Sequence, residues 1–159
     1  MLHRLYQEIE EVKIWFDPTR RQPIDGAKPL DTSALSGWLR EWYAKGRATD
    51  LRGPLPQTQL APLLDRIDAQ LPSDYLDFVT QTDGARLASC VVVHGLTGIR
   101  EIVWPNENYY VIAEKTGHAL AVKRGDRTGA LYLINNEDDE ARPYGKSLEK
   151  AVSDLLEPR

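Results

Sequence analysis

Residues 60–87, LAPLLDRIDAQLPSDYLDFVTQTDGARL, determine how the rest of the chain is arranged. Five apolar residues of the first part recur at i, i+3, i+4, i+7 and i+11, the spacing of one helix face. They are Leu60, Leu63, Leu64, Ile67 and Leu71. Pro72 cannot continue this helix, because proline lacks an N–H group and clashes with the preceding turn. The pattern therefore predicts a helix that ends before Pro72, followed by a second helix.

The second helix is predicted to begin at Ser73, whose hydroxyl can accept a hydrogen bond from a free amide of the first turn. Tyr75, Phe78 and Val79 supply a buried stripe. Gly84 can adopt the left-handed conformation that ends a helix, and the chain after it is predicted to enter a strand.

This stretch also resembles the N-terminal signature of the SMI1/KNR4 family, also called SUKH. The matching residues are the Leu71-Pro72-Ser73-Asp74-Tyr75 start, Phe78 and the Asp83-Gly84 end, where Asp83 replaces the asparagine that is usual in the family. The resemblance covers roughly residues 60–156 and leaves the part before Gln57 unmatched. It implies an α+β fold and, for a bacterial chain, an immunity protein that neutralises a polymorphic toxin, often a nuclease.

The composition indicates one globular unit. A length of 159 residues fits a single domain, and the acidic net charge of −4 argues against nucleic acid as a partner. No apolar run reaches the roughly 20 residues of a membrane helix, and the N-terminus does not resemble a secretory signal. The single cysteine, Cys90, is expected to be a buried thiol in a cytoplasmic protein.

The segments outside the central stretch complete an α+β pattern. Apolar spacing from Leu2 to Phe16 predicts a first helix, and Asp17 to Pro29 a loop. Asp31-Thr32-Ser33 offers caps for a helix that carries Leu35, Trp38, Leu39, Trp42 and Tyr43 and ends at Gly46. We therefore divide the chain into an N-terminal helical extension, 1–56, packed on a body, 57–159, within a single globular domain.

The body is predicted to be rich in strands after Leu87. The predicted strands are Leu87–His94, Ile99–Trp104, His118–Arg124 and Ala130–Ile134, while Tyr109–Ala113 fits either a strand or a helical turn. Ser147 caps a closing helix with a regular apolar face. The fold class expected is α+β, with helices on one side of a mainly antiparallel sheet of about five to six strands.

The sequence contains no recognisable catalytic, cofactor-binding or metal-binding motif. His3, His94 and His118 lie too far apart for metal-ligand spacing, and His94 and His118 are expected at strand ends, exposed or bonded to backbone. Phosphate-binding glycine motifs and serine-nucleophile motifs are missing from the sequence. We therefore predict no catalytic residue, no cofactor and no metal.

Two features could bind a protein partner. The acidic run Glu137, Asp138, Asp139 and Glu140 is either a solvated loop or a docking patch that steers a basic partner. The aromatic residues Trp104, Tyr109 and Tyr110, beside Glu107, fit an interface, although Trp104 could equally close the core.

Three functions follow from these patterns. The first is a non-enzymatic immunity protein that binds a cognate toxin domain. The second is a regulatory or scaffolding module of the SMI1/KNR4 type that binds another cytoplasmic protein. The third is an enzyme whose site is assembled from distant residues such as Glu101, Glu107 and His118. The partner and the oligomeric state are not evident from the sequence.

Overall fold

In the computed structural model, which describes residues 30–137 and 141–156, four helices lie on one side of an eight-stranded antiparallel sheet. The helices are α1 (Gly37–Ala44), α2 (Gln57–Asp65), α3 (Ser73–Gln81) and α4 (Leu148–Leu156). The strands are β1 (Ala48–Thr49), β2 (Gly84–Leu87), β3 (Val91–His94), β4 (Arg100–Val103), β5 (Asn108–Lys115), β6 (His118–Lys123), β7 (Tyr132–Asn135) and β8 (Arg142–Pro143). The predicted α+β class is confirmed, with more strands than expected. The predicted first helix and the loop after it lie outside the described residues.

The sheet is ordered β1-β2-β3-β5-β6-β7-β8, and β4 pairs with β5. Strands β3 and β4 lie along the same edge of β5, since Val93 is opposite Ala113 and Arg100 is opposite Val111. The chain between them leaves this edge through a short 3₁₀ turn, Leu96–Gly98. The Tyr109–Ala113 segment, for which the sequence allowed a strand or a helical turn, is part of β5.

Each of the four helices contributes to one apolar cluster with the facing side of the sheet, which we call the helix-side cluster. Its helical members include Leu39, Trp42, Leu60, Tyr75, Phe78, Val79, Leu148, Ala151 and Val152. Leu87, Ile112 and Leu120 of the sheet, all fully buried, meet them. The alternation of side chains along a strand sends the intervening residues to the opposite side, which we call the outer face.

The first helix of the central stretch is shorter than predicted. It ends at Asp65 rather than before Pro72, and Pro62 lies inside it. The segment that follows forms tertiary hydrogen bonds instead: Gly125 N donates to Asp68 O at 2.5 Å, and Gln70 N donates to Asp126 O at 2.8 Å. These bonds satisfy backbone groups that would otherwise continue the helix.

The second helix spans Ser73–Gln81 and buries Tyr75, Phe78 and Val79 as predicted. The prediction that Ser73 caps it is wrong, because Pro72 occupies the cap position and the structure shows no side-chain capping bond there. Gly84 does adopt a positive φ of 131°, but at the start of β2 rather than at the helix end.

Asp74, in the first turn of α3, caps the closing helix α4. Its carboxylate accepts hydrogen bonds from Ser147 Oγ at 3.0 Å, Leu148 N at 3.0 Å and Glu149 N at 2.9 Å. Ser147 Oγ in turn accepts from Lys150 N at 3.2 Å, which confirms the predicted cap. The Leu-Pro-Ser-Asp-Tyr sequence therefore joins two helices that are distant in the chain.

Four other local predictions need correction. The segment Leu87–His94 is not one strand, because a turn at Ala88–Ser89 separates β2 from β3. Tyr43 is 40% exposed and lies outside the core, and Cys90 is exposed in the turn rather than buried. Asp31 caps the 3₁₀ turn Thr32–Ala34, whereas α1 begins after Ser36.

Candidate functional site

The predicted partner-binding residues lie at two opposite ends of the sheet. Trp104 and Glu107 belong to the β4–β5 turn, at the start of β5. Glu137 follows β7 beside the β5–β6 turn, where Asn136 N donates to Gly117 O at 3.1 Å. β5 has eight residues, so about 25 Å separates the two ends. Asp138, Asp139 and Glu140 lie outside the described residues, and the exposed Glu137 does not share a surface with the aromatic set.

Tyr109 and Tyr110 lie on opposite faces of the sheet. Tyr110 belongs to the helix-side cluster, and its hydroxyl accepts a hydrogen bond from Asp68 N at 3.2 Å. Tyr109 belongs to the outer face, where it lies opposite Ile102 and Lys123 of the adjoining strands. The structure therefore separates Tyr110 from the other members of the predicted aromatic surface.

A second apolar cluster, the outer-face cluster, surrounds Tyr109. Its buried members are Trp104, Tyr109, Val111, Ala119, Ala121 and Ile134, and Ile102, Tyr132 and Ala141 pack against them. The rings of Tyr109 and Tyr132 meet edge to face, with centroids 5.6 Å apart. Trp104 is only 6% exposed, so it closes this cluster, one of the two roles that the sequence allowed.

The indole of Trp104 differs from those of the other two described tryptophans. Trp38 Nε1 donates to Asp74 O at 3.0 Å, and Trp42 Nε1 donates to Glu149 Oε2 at 2.8 Å. Trp104 Nε1 is buried without a hydrogen-bond partner in the structure described. Its backbone N–H is satisfied, since it donates to Glu107 O at 2.8 Å and closes the β4–β5 turn.

Charged side chains lie on both faces of the sheet at this end, and we call them the charged rim. They are Asp68, Glu101, Glu107, Lys123, Arg124 and Arg127. Lys123, which pairs with Glu107, lies opposite Tyr109 on the outer face, whereas Glu101 lies opposite Tyr110 on the helix side. Arg124 pairs with Glu101 at 3.0 Å, and Lys123 pairs with Glu107 at 3.4 Å. Arg127 pairs with Asp68. The hydrogen bond that Arg124 donates to Glu101 is the main cause that raises the pKa of Arg124. Exposed pairs of this kind add little to stability.

The loops and strand ends that carry the charged rim are joined to one another by backbone hydrogen bonds. Besides the two bonds between the α2–α3 segment and the β6–β7 loop, Arg124 N donates to Asn108 O at 2.9 Å. The three loops therefore form one connected surface. The arrangement holds the charged groups in place without depending on the exposed ion pairs.

Asp126 organises the β6–β7 loop beneath this rim. Its carboxylate accepts hydrogen bonds from Thr128 N at 2.8 Å, Thr128 Oγ1 at 2.6 Å and the Tyr132 hydroxyl at 2.8 Å. The bonds from Thr128 are the largest causes that lower the pKa of Asp126, and the bond to Asp126 raises the pKa of Tyr132 to about 12. Burial raises the pKa of Tyr109, so this hydroxyl also stays protonated at neutral pH.

The residues suggested for a catalytic site do not converge. Glu101 lies opposite Tyr110 and bonds Arg124, at the same end of the sheet as Glu107. His118 is paired with Lys115 at the other end of β5. The structure therefore gives no common site to the Glu101, Glu107 and His118 set.

Sequence reasoning missed a buried polar group in the sheet. His94 and Glu114 are both fully buried, and His94 Nε2 lies 2.7 Å from Glu114 Oε2. The expectation that His94 could be exposed is therefore wrong, and its ring meets a carboxylate side chain. Close by, the Tyr75 hydroxyl donates to His94 O at 2.6 Å, and Asp83 is buried beside Gly95. Only the register of β3 on β5 brings the pair together, and no local sequence signal encodes it.

Comparisons with protein-family models, curated proteins and solved structures found no match to this chain. Within residues 30–137 and 141–156, no cluster of three or more His, Cys, Asp or Glu side chains is arranged to hold a metal ion. Over the same residues, every helix is too short or too polar to cross a membrane.

Proposed function

We propose that this chain is a non-enzymatic protein-binding domain, and that it acts in the cytoplasm as an immunity protein for a cognate toxin domain. The observation that carries the proposal is the outer-face cluster with its charged rim. Tryptophan, tyrosine and arginine are the residue types enriched at the centres of protein interfaces. Here Trp104, Tyr109 and Tyr132 pack together on the outer face, and Arg124 and Arg127 lie in the loop between β6 and β7. The resemblance to the SMI1/KNR4 family supports the more specific part of the proposal.

The charge of the rim bears on the kind of partner. Asp68, Glu101 and Glu107 are balanced by Lys123, Arg124 and Arg127, so the rim is not an acidic imitation of nucleic acid. A balanced set favours a partner surface that also carries both signs, because like charges brought together oppose binding. The balanced charge therefore does not suit an inhibitor of a cationic nuclease site. For this reason we keep the second candidate, a regulatory or scaffolding module, as the alternative function.

Binding to the proteins encoded beside the gene for this chain tests the proposal. The full chain is titrated by calorimetry with each neighbouring toxin domain in a catalytically inactive form. We expect one tight complex, and we expect Arg127→Ala to weaken it about tenfold or more, as interface arginines do. Arg40→Ala is the matched control, because Arg40 is exposed on α1, away from the rim.

Two other outcomes have definite meanings. A complex with a neighbouring protein that is not a toxin would support the regulatory module. Failure of every neighbouring protein to bind, or turnover of a substrate by the purified chain, would refute the immunity proposal.

A further inference from the structure

The indole N–H of Trp104 is a buried donor that the folded chain leaves without an acceptor. The side chain is 6% exposed, and Nε1 has no hydrogen-bond partner in the structure described. Leaving such a group unsatisfied lowers the stability of the folded chain, because the indole N–H gives up its hydrogen bonds to water. An acceptor brought by another molecule would recover part of the lost free energy, and the Trp104 indole differs in this respect from those of Trp38 and Trp42.

The surroundings of Trp104 define the acceptor that fits. Tyr109 belongs to the same cluster, and on the outer face it lies beside Lys123 of β6. Lys123 is already paired with Glu107, and Asp126 holds the hydroxyl of Tyr132. An incoming carboxylate would therefore meet two acids and one neutralised lysine. A neutral carbonyl oxygen avoids this repulsion and still accepts from the indole N–H.

The buried donor of Trp104 lies next to exposed residues. Trp104 begins the β4–β5 turn, whose residues Asn106 and Glu107 are exposed, and the preceding Val103 is 38% exposed. One backbone hydrogen bond, from Trp104 N to Glu107 O, closes the turn. A partner that rests on the turn and the charged rim could shift the indole by a small movement of this segment.

We propose that Trp104 Nε1 is a recognition donor for a protein partner, and that it receives a backbone or side-chain amide carbonyl from a loop of that partner. The inference rests on the proposed protein-binding function and adds the chemistry of the contact. On binding, the β4–β5 turn adjusts, the indole N–H donates to the carbonyl, and Glu107 and Lys123 of the charged rim border the contact.

The probe is a phage-displayed library of random linear peptides, selected on the full chain. The key variant replaces Trp104 by 3-benzothienylalanine, which keeps the ring shape and lacks the N–H group. We expect selected peptides to bind this variant about tenfold more weakly, equivalent to ~1.4 kcal/mol. In ¹⁵N spectra of the wild-type chain, which has four tryptophans, the same peptides should move the Trp104 indole proton downfield.

The matched control is Trp42→Phe, because the Trp42 indole already donates to Glu149. This change should lower stability and leave the peptide affinity of the folded protein unchanged. Trp104→Phe, used to assign the indole resonance, should lower stability less than Trp42→Phe, because no internal hydrogen bond is lost.

Three results would overturn the inference: peptides that bind the isostere and the wild type alike, a selection that yields no binding peptide, or an indole proton that does not move. If the wild-type chain self-associates and the isostere does not, the acceptor belongs to a second copy of this chain, and the proposal of a different protein partner is overturned. A toxin complex insensitive to the isostere would refute the Trp104 contact and leave the proposed function standing. Peptide binding that depends on Trp104, without any toxin complex, would support the Trp104 contact and refute the proposed immunity function.

Discussion

At the scale of single residues, Asp74 makes the most consequential contact in the fold. It lies in α3, and its carboxylate accepts two backbone N–H groups and one hydroxyl at the start of α4. A carboxylate at this place caps the helix, and its negative charge interacts favourably with the positive end of the helix dipole. Asp74 lies in the first turn of α3, yet its carboxylate bonds go to the start of α4, which is distant in the chain.

Replacement of Asp74 by alanine should lower the free energy of unfolding by about 2–3 kcal/mol, because the start of α4 loses its charged acceptor. Asp77→Ala is the control, since Asp77 is exposed one turn later on the same helix. Urea unfolding of both variants measures the difference. Equal losses in the two variants would show that Asp74 does not act through α4.

Asp126 predicts a dependence of stability on pH. Its pKa is lowered in the folded chain, chiefly by hydrogen bonds from Thr128. Its stabilisation is therefore present above the unfolded pKa of about 3.9 and is lost as the pH falls through the lower folded pKa. Tyr132 behaves in the opposite sense, because its pKa is raised to about 12 in the folded chain. Its contribution to the unfolding free energy is complete below the unfolded pKa of about 10 and is lost as the pH rises through the folded pKa.

The variant Asp126→Asn isolates this effect. The difference in unfolding free energy between wild type and Asp126→Asn should be largest near neutral pH and should shrink as the pH falls below about 3.9. Urea unfolding across the acid range measures it, with Asp65→Asn, an exposed position on α2, as the control. A difference that stays constant with pH would contradict the assigned role of the carboxylate.

At the scale of elements, the β2–β3 hairpin contains strain that the sequence does not reveal. Ala88 and Ser89 have φ values of 49° and 65°, and Cys90 N donates to Leu87 O at 3.2 Å. Two central residues with positive φ are typical of type I′ turns, which prefer Asn-Gly. Without that signature, the valine run after Cys90 extended the predicted strand back to Leu87, and the hairpin was missed.

Glycine at position 89 should relieve this strain. A non-glycine residue in the left-handed region costs about 1–2 kcal/mol, and the extra freedom of glycine in the unfolded chain offsets part of the gain. We expect Ser89→Gly to raise the unfolding free energy by about 0.5–1 kcal/mol. Ser153→Gly, the same change inside α4, should lower it. Thermal unfolding of both variants tests the assignment, and destabilisation by Ser89→Gly would refute it.

The elements that the sequence predicted well are those with strong local periodicity. The stripe of α3, the cap and apolar face of α4, and the β6–β7 pair all depend on residues near one another in the chain. The errors have a different origin. Helix α2 is shortened by hydrogen bonds to the distant β6–β7 loop, and β1 and β8 are two-residue strands with no period to detect. The candidate site was predicted in part, because strand alternation separated Tyr109 from Tyr110.

At the scale of the whole molecule, the described part of the N-terminal extension is continuous with the body. Leu39 and Trp42 of α1 belong to the helix-side cluster, and β1 pairs with β2. Two long-range hydrogen bonds add to this: Trp42 Nε1 to Glu149, and Ser36 N to Gln81 Oε1 at 2.7 Å. Because α1 and β1 share these contacts with the body, we expect the extension and the body to unfold together.

We therefore expect the chain to unfold in a single cooperative transition. Tryptophan fluorescence, to which Trp38 and Trp42 of α1 contribute two of the four indoles, should give the same urea midpoint as far-ultraviolet circular dichroism, which reports the whole fold. Trp42→Phe should shift both midpoints together, because the lost bond to Glu149 joins α1 to α4. An earlier fluorescence transition would instead show that residues 30–56 detach independently. In that case a partner could bind the body while α1 is unfolded, and the helix-side cluster would join the outer face as a possible contact surface.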